Sequence, residues 1–336
     1  MQSQIENSQS KIVPPYLKPG DLLRVIAPSG ALREFATFER GVEIWRSRGY
    51  KVEISPQIDD KWGYLAGKDN KRRNELAAAW QDPECRGILC ARGGFGSTRI
   101  LENWNWGVGE IGRQGDRETR GQGGISPSSP SSPSSPSSPK WLIGFSDITA
   151  LLWSLEKVGI SSVHAPVLTT LSSEPDWSVQ RLFDWVEGRP IAPLKGFGWG
   201  RGVKSGILLP ANLTVATHLL STPFQPNLDN VILAFEDVTE APYRIDRMLT
   251  QWRMSGALSK VSGIALGSFT KCEAPDNVPS LSVEEVLRDR LSDLNIPVVS
   301  NLPFGHEAPN AALPVGVMAT LDAEHGVLSI GESVTD

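Results

Sequence analysis

Short apolar runs alternate with segments of helical period along this chain, and that alternation restricts the fold more than any other feature. It predicts an α/β architecture, a parallel sheet covered by helices. Residues 21–27 (DLLRVIA) form a buried strand closed by Pro28, Ser29 and Gly30. A helix over 35–48 follows, then a strand over 50–54, a helix over 70–80, a strand over 87–90 and a glycine turn, 93–96, that opens another helix. The pattern resumes at Lys140 with a strand over 141–145, a helix over 147–158 and a strand near 162–164.

Between these halves, residues 105–140 are rich in Gly and Arg and then repeat Ser-Ser-Pro up to Pro139. Such a stretch cannot bury enough apolar surface to offset its ordering entropy, so a disordered surface insertion is expected inside one domain. The 336 residues exceed what a single core usually supports. An N-terminal domain over 16–178, a linker over 179–205 rich in Trp, Pro and Gly, and a second α/β domain over 206–336 are therefore expected. In the latter, strands fall at 231–235, 261–266 and 298–299, and helices at 214–220, 244–255 and 282–291. A terminal hairpin turns through Glu324, His325 and Gly326.

Apolar residues make up 40% and the net charge is −5 with scattered basic residues, which leaves no patch suited to nucleic acid. The polar N-terminus lacks the apolar core of a signal peptide, and no run of about 18 apolar residues follows, so a cytoplasmic protein without membrane partners is expected. Cys85, Cys90 and Cys272 lack zinc-site spacing and read as buried thiols, with no metal or cofactor implied.

Chemistry concentrates in WLIGFSDITA, 141–150, where an apolar strand passes through Gly144 and Phe145 into Ser146 and straight into a helix. A turn of that kind lifts a nucleophile out of a sheet and offers helix N-terminal amides to an oxyanion, although Ile148 replaces the second glycine of a G-x-S-x-G elbow and a serine there also serves as an N-cap. The turn Arg92-Gly-Gly-Phe-Gly-Ser97 lacks the third glycine of a dinucleotide site. It suits a second oxyanion donor, so the amides of Gly94 and Asp147 are the candidate pair. A base must be one of four histidines. His218 falls on an apolar helix as a core residue would, and His325 sits in a hairpin turn. His306, in the loop NLPFGHEAPN, and His164, at a strand end, both remain in play. Glu236, Asp237 and Glu240 close an apolar strand, where open α/β sheets hold ligands.

These segments resemble the LD-carboxypeptidase family, the muramoyltetrapeptide carboxypeptidases with a branch of microcin-immunity peptidases. The markers occur in family order: KPGDLLRVIAPSG at 18–30, GYLAGKDNKR at 63–72, ARGGFGS at 91–97, IGFSDITALLW at 143–153, FEDVTEAPYRIDRML at 235–249 and LPFGHEAPNAALPVG at 302–316. The resemblance implies a flavodoxin-like N-terminal domain, a C-terminal α/β domain and a site between them, with Ser146 as nucleophile, Glu236 and His306 completing a triad, and Gly94 and Asp147 in the oxyanion hole. It implies release of a C-terminal D-amino acid from a murein-derived peptide, without cofactor, by a homodimer. Arg92, Arg244 and Arg247 are available for the substrate carboxylate. Two departures bear on specificity: Pro210-Ala211-Asn212 stands where the family has Gly-Gly-Asn, and Ala165 replaces a glycine. The rival readings are an immunity-type peptidase acting on a peptidyl-nucleotide and a non-catalytic peptide-binding protein. A glutamine amidotransferase-like enzyme would need cysteine at 146.

Overall fold

The computed structural model describes residues 11–107, 138–200 and 202–331. Strands β1 (Leu22–Ile26), β2 (Lys51–Ile54), β3 (Cys85–Cys90), β4 (Trp141–Gly144) and β5 (Ser162–His164) run parallel in the order β5-β4-β3-β1-β2. This is the flavodoxin-like order, with its switch point between β1 and β3. Both faces of the sheet are covered, which is why its strands read as continuous apolar runs. Helix α1 (Phe35–Ser47) sends Phe38, Val42 and Trp45 into the core with Leu23 and Leu89. Helix α2 (Asp69–Gln81) sends Leu76 and Trp80 to the opposite core with Ile26 and Ile88. Adjacent residues of β3 thus point to opposite cores, the period-two signature of a strand. After β3 come α3 (Ser97–Leu101) and, beyond β4, α4 (Thr149–Lys157).

Residues 174–205 are more ordered than their composition suggests. Helix α5 (Leu168–Leu171) leads to α6 (Asp176–Val186), whose Leu182, Phe183 and Val186 are buried in the first core, Phe183 lying 4.5 Å from Trp45 between ring centroids. The expected linker therefore begins inside a helix. Its apolar spacing is masked by the Trp, Pro and Gly around it. Strands β6 (Leu194–Lys195) and β7 (Phe197–Gly198) follow as the two edges of a second sheet.

That sheet is built on β8 (Val203–Asn212), β9 (Val231–Val238), β10 (Gly263–Thr270) and β11 (Val298–Ser300), all parallel. Three helices connect them: α7 (Leu213–Leu219), α8 (Pro242–Met254) and α9 (Val283–Leu291). Their starts carry local signals: Asn212 accepts from Val215 N, Pro242 opens α8, and Ser282 with Glu285 forms a capping box. β8 was not foreseen, because Pro210 argues against a central strand. Its partner β13 (Met318–Asp322) pairs only as far as Ile207, so Pro210 lies beyond the end of that ladder and no donor is needed on that side. The hairpin of β13 with β14 (Val327–Ile330) forms as expected.

The two sheets are stitched together. β12 (Leu313–Val315) leaves the second half of the chain to pair antiparallel with β5, Leu313 opposite His164. Helix α4 is buried from Thr149 to Glu156 and stands between the sheets. Its Trp153 donates to the Pro210 carbonyl at 3.0 Å, and Thr149 Oγ1 accepts from Asn212 N at 3.0 Å. Truncating Trp153 to alanine would cost about 3–5 kcal/mol by cavity formation.

Residues 108–137, with most of the Ser-Ser-Pro tract, lie outside the described residues, but the expected start of the insertion needs correcting. Trp106 is buried, donating to Ser154 Oγ while its carbonyl accepts from Trp80. Lys140 is buried too, donating to the carbonyls of Ala79 and Asp82. Trp106 thus belongs to the core and not to an insertion that begins at 105, whereas Lys140 lies where the folded pattern is expected to resume.

Candidate active site

Ser146, Glu236 and His306 stand in the last residues of strands or in the loops that follow them, at the carboxyl ends of the sheets. Ser146 follows β4 with a φ of +62°, a left-handed conformation that is rare for a residue with a Cβ and marks a strained turn. The turn is held by Asp147, whose buried carboxylate accepts from Ser29 Oγ at 2.6 Å and from Ser97 N at 2.8 Å. Ser97 Oγ in turn donates to the Asp147 carbonyl. Burial pushes the Asp147 carboxyl above the usual range, opposed by these donors. Arg72, fully buried, donates to the carbonyls of Pro28, Gly67 and Gly96 and so ties the loops after β1 and β3 to the same turn.

The glycine loop after β3 packs against the serine. A Cβ on Gly93 would lie 3.0 Å from Ser146 Cβ and 3.1 Å from its Oγ, and Gly94 has a φ of +110°. No larger residue fits the first position without a shift, and none adopts the second without strain.

From the second sheet come the other two groups. Glu236, in β9, is fully buried, and His306 follows β11. His306 Nε2 is 2.9 Å from Ser146 Oγ, and His306 Nδ1 is 2.5 Å from Glu236 Oε2. Phe145 packs against the imidazole at 4.8 Å between centroids. Burial alone would lower the basicity of His306, but the charge and hydrogen bond of Glu236, with Asp237 behind, win and raise its pKa above 6.5. In chemical terms this is a hydroxyl in contact with an imidazole whose far nitrogen is held by a carboxylate, the arrangement that lets a serine lose its proton as it attacks.

Asp237, one of the carboxylates that close this strand, does not touch the histidine and instead organises the cavity. It accepts from Asn212 Nδ2 at 3.0 Å, from Thr214 N at 2.9 Å and from Thr214 Oγ1 at 2.8 Å. Burial and neighbouring Glu236 push its carboxyl up to about 6 against those donors. Asn212 could have been noticed, since an asparagine directly before an apolar helical run is an N-cap signal.

The remaining histidines separate clearly. His164 is buried beside Phe145 and Phe304, with neither ring nitrogen hydrogen-bonded, and burial lowers its pKa to about 4. It does not reach the serine contact that His306 makes. His218, read as a core residue, is exposed instead, because α7 turns that side toward a cavity. His325 faces water and is 2.8 Å from Asp322 Oδ2. Cys85, Cys90 and Cys272 are free and buried.

Ser146, Asp147 and Gly94 open on a cavity of about 610 Å³ with largely apolar walls, including Phe95, Leu101, Val215, Leu219 and Phe224. Neither the Gly94 nor the Asp147 amide donates to a backbone carbonyl of the described turns and loops. Arg92 donates to the Ala31 carbonyl at 2.7 Å, whereas Arg244 and Arg247 lie on α8 around an adjoining groove. Among the described residues no three His, Cys, Asp or Glu side chains gather as a metal cluster, and no helix is long and apolar enough to cross a membrane.

Comparison with known proteins gives a consistent result. The LD-carboxypeptidase N-terminal domain matches residues 23–117 and 123–165, and the LD-carboxypeptidase C-terminal domain matches 205–321. A Synechocystis protein named "Putative carboxypeptidase" is 55% identical over 313 residues, 93% of this chain and 95% of its own. The murein tetrapeptide carboxypeptidase of Pseudomonas aeruginosa is 28% identical over 312 residues, 89% of this chain and 92% of its own. The crystal structure of muramoyltetrapeptide carboxypeptidase from Oxalobacter formigenes superposes with a TM-score of 0.74 at 28% identity, covering 92% of this chain and 99% of that one. The microcin C7 self immunity protein MccF gives 0.78 at 20% identity over 97% of this chain and 100% of that one, a likeness of fold alone.

Proposed function

Since this chain belongs to the LD-carboxypeptidase family, we propose that it is a serine carboxypeptidase that hydrolyses an L,D-peptide bond of a murein-derived tetrapeptide and releases the C-terminal D-alanine. Ser146 Oγ attacks the scissile carbonyl while His306 Nε2 takes its proton. Glu236 holds Nδ1–H, which sets the tautomer and stabilises the imidazolium. The amides of Gly94 and Asp147 receive the oxyanion, a contribution whose loss costs about 10²–10³ in rate per donor. His306 then protonates the leaving amine, D-alanine departs, and a water deprotonated by His306 releases the acyl group and regenerates Ser146.

What supports this reading above all is the contact chain from Ser146 Oγ to His306 Nε2 at 2.9 Å and from His306 Nδ1 to Glu236 Oε2 at 2.5 Å. The cavity at Ser146, about 610 Å³, is of a size for a short peptide and lies where the two sheets meet. A cytoplasmic homodimer recycling cell-wall peptides is part of the same proposal. Mass spectrometry of a murein tetrapeptide and tripeptide mixture tests it. Conversion of tetrapeptide to tripeptide with free D-alanine is the expected result, and an unchanged tetrapeptide with cleavage of a peptidyl-nucleotide instead would overturn it.

A further inference from the structure

Beside the reaction cavity lies a second groove, of about 540 Å³, whose charges the chemistry at Ser146 does not use. The two spaces share Thr214, His218 and Glu240 as a common wall. On the far side is the exposed face of α8, where Arg244 and Arg247 stand three residues apart and so point the same way. Arg247 has no acidic partner among the described residues. Its guanidinium leans over the Tyr243 ring, 5.3 Å from the centroid. Arg244 donates to Tyr243 Oη at 3.2 Å, and its one acidic partner among the described residues is Glu240, at 3.4 Å, with both side chains reachable by solvent. The acids Glu102 and Asp237 line the reaction cavity and not this groove. Carboxylates therefore line the nucleophile's cavity, while the groove one space further out holds two guanidinium groups against the single carboxylate of Glu240.

We propose that Arg244 and Arg247 form a subsite for an anionic group, a carboxylate or a phosphate, carried on the acyl part of the substrate away from the scissile bond. The proposal rests on the peptidase reading above. The substrate's terminal carboxylate is not the group bound there. Its carbon lies within about 5 Å of the scissile carbonyl, given the 3.8 Å Cα spacing, so it must sit in the cavity that holds Ser146, whose walls include neither arginine. A group several bonds further along the acyl chain can pass Thr214 and His218 into the groove. There two guanidinium groups, one of them free of any acid, offer charge-assisted bonds to planar oxyanions.

The test compares two peptides that differ only in whether an acyl-side carboxylate is free or amidated. Wild-type enzyme is expected to prefer the free acid. In Arg244→Ala/Arg247→Ala protein, checked for an unchanged circular dichroism spectrum, the ratio of the two kcat/KM values is expected to fall at least tenfold. An unchanged ratio overturns the proposal. Calorimetry on Ser146→Ala protein, with glutarate and inorganic phosphate as probes, separates this claim from the peptidase reading, because it needs no turnover. Binding of either anion that disappears when both arginines are also replaced supports the subsite, and the tighter probe identifies the source. Binding of neither, or binding that survives the replacements, refutes it even where both peptides are cleaved. If neither peptide is cleaved but the anion binds through the arginines, the subsite stands and the peptidase reading falls.

Discussion

Replacing His164 with leucine should make the protein markedly less sensitive to acid. The imidazole is buried between Phe145 and Phe304 with neither nitrogen bonded. Burial holds its pKa down to about 4 against the opposing charge of Glu236, and the charge of His306 adds a smaller push in the same direction as burial. The unfolded chain takes up the proton near 6.5 and the folded protein does not. The folded pKa is depressed, so the stability is fully present above 6.5 and is lost as pH falls toward 4. At about 1.4 kcal/mol per unit, the displacement amounts to about 3 kcal/mol over that window. Leucine has nearly the same volume and no proton to gain, and it removes two unpaired polar atoms, so it should cost little at neutral pH. Urea unfolding of both proteins at pH 7.5 and 4.5 gives the comparison. The difference between the two pH values should be smaller in the variant by about 2–3 kcal/mol, other titrating groups cancelling. If the two proteins lose stability equally between these pH values, His164 is not a buried neutral histidine and the reasoning fails.

Three further outcomes follow from the same geometry. His306→Ala should lower kcat by at least about a thousandfold and His164→Ala by much less, and a reversed ranking in a steady-state assay would transfer the role of base to His164. His306 must be neutral to accept the serine proton, so kcat/KM should decline on the acid side with a midpoint above 6.5. In Glu236→Gln protein the residual activity should show that midpoint moved down, because the group that raises it is gone. Linkage runs opposite to that of His164: the His306–Glu236 pair adds stability below the imidazole's unfolded pKa, and this is lost as pH rises through the raised folded value. Exchanging residues 108–137 for a short Gly-Ser linker should leave the melting temperature unchanged or slightly raised, since a Ser-Ser-Pro repeat supplies no core side chain and loop closure depends only weakly on length. A large fall in melting temperature would give the segment a structural role.

Much of the first sheet was legible because its strands are buried on both faces and its helices carry their apolar residues at i, i+4 and i+7, as Phe38, Val42 and Trp45 do. Strand ends and short motifs narrow the candidates to Ser146, the carboxylates of 236–240 and two histidines, and the family resemblance singles out Ser146, Glu236 and His306. Their convergence could not be inferred, because it depends on contacts across 70 and 160 residues of chain. What stayed hidden has particular causes. Pro210 disguised β8, whose neighbouring ladder ends before that residue. Trp106 sits at the start of a polar, glycine-rich stretch, although hydrogen bonds anchor it in the core. His218 lies among apolar neighbours in sequence, but one face of α7 borders a cavity, and a helical period does not tell a solvent-filled space from a packed one.

The most direct test of the account is turnover of a murein tetrapeptide by purified Ser146→Ala protein. A folded variant with at least about a thousandfold lower kcat is expected, because removing the nucleophile of a triad leaves only binding and oxyanion stabilisation. A folded variant that releases D-alanine at close to the wild-type rate would contradict the assignment of Ser146, and with it the mechanism built on His306 and Glu236.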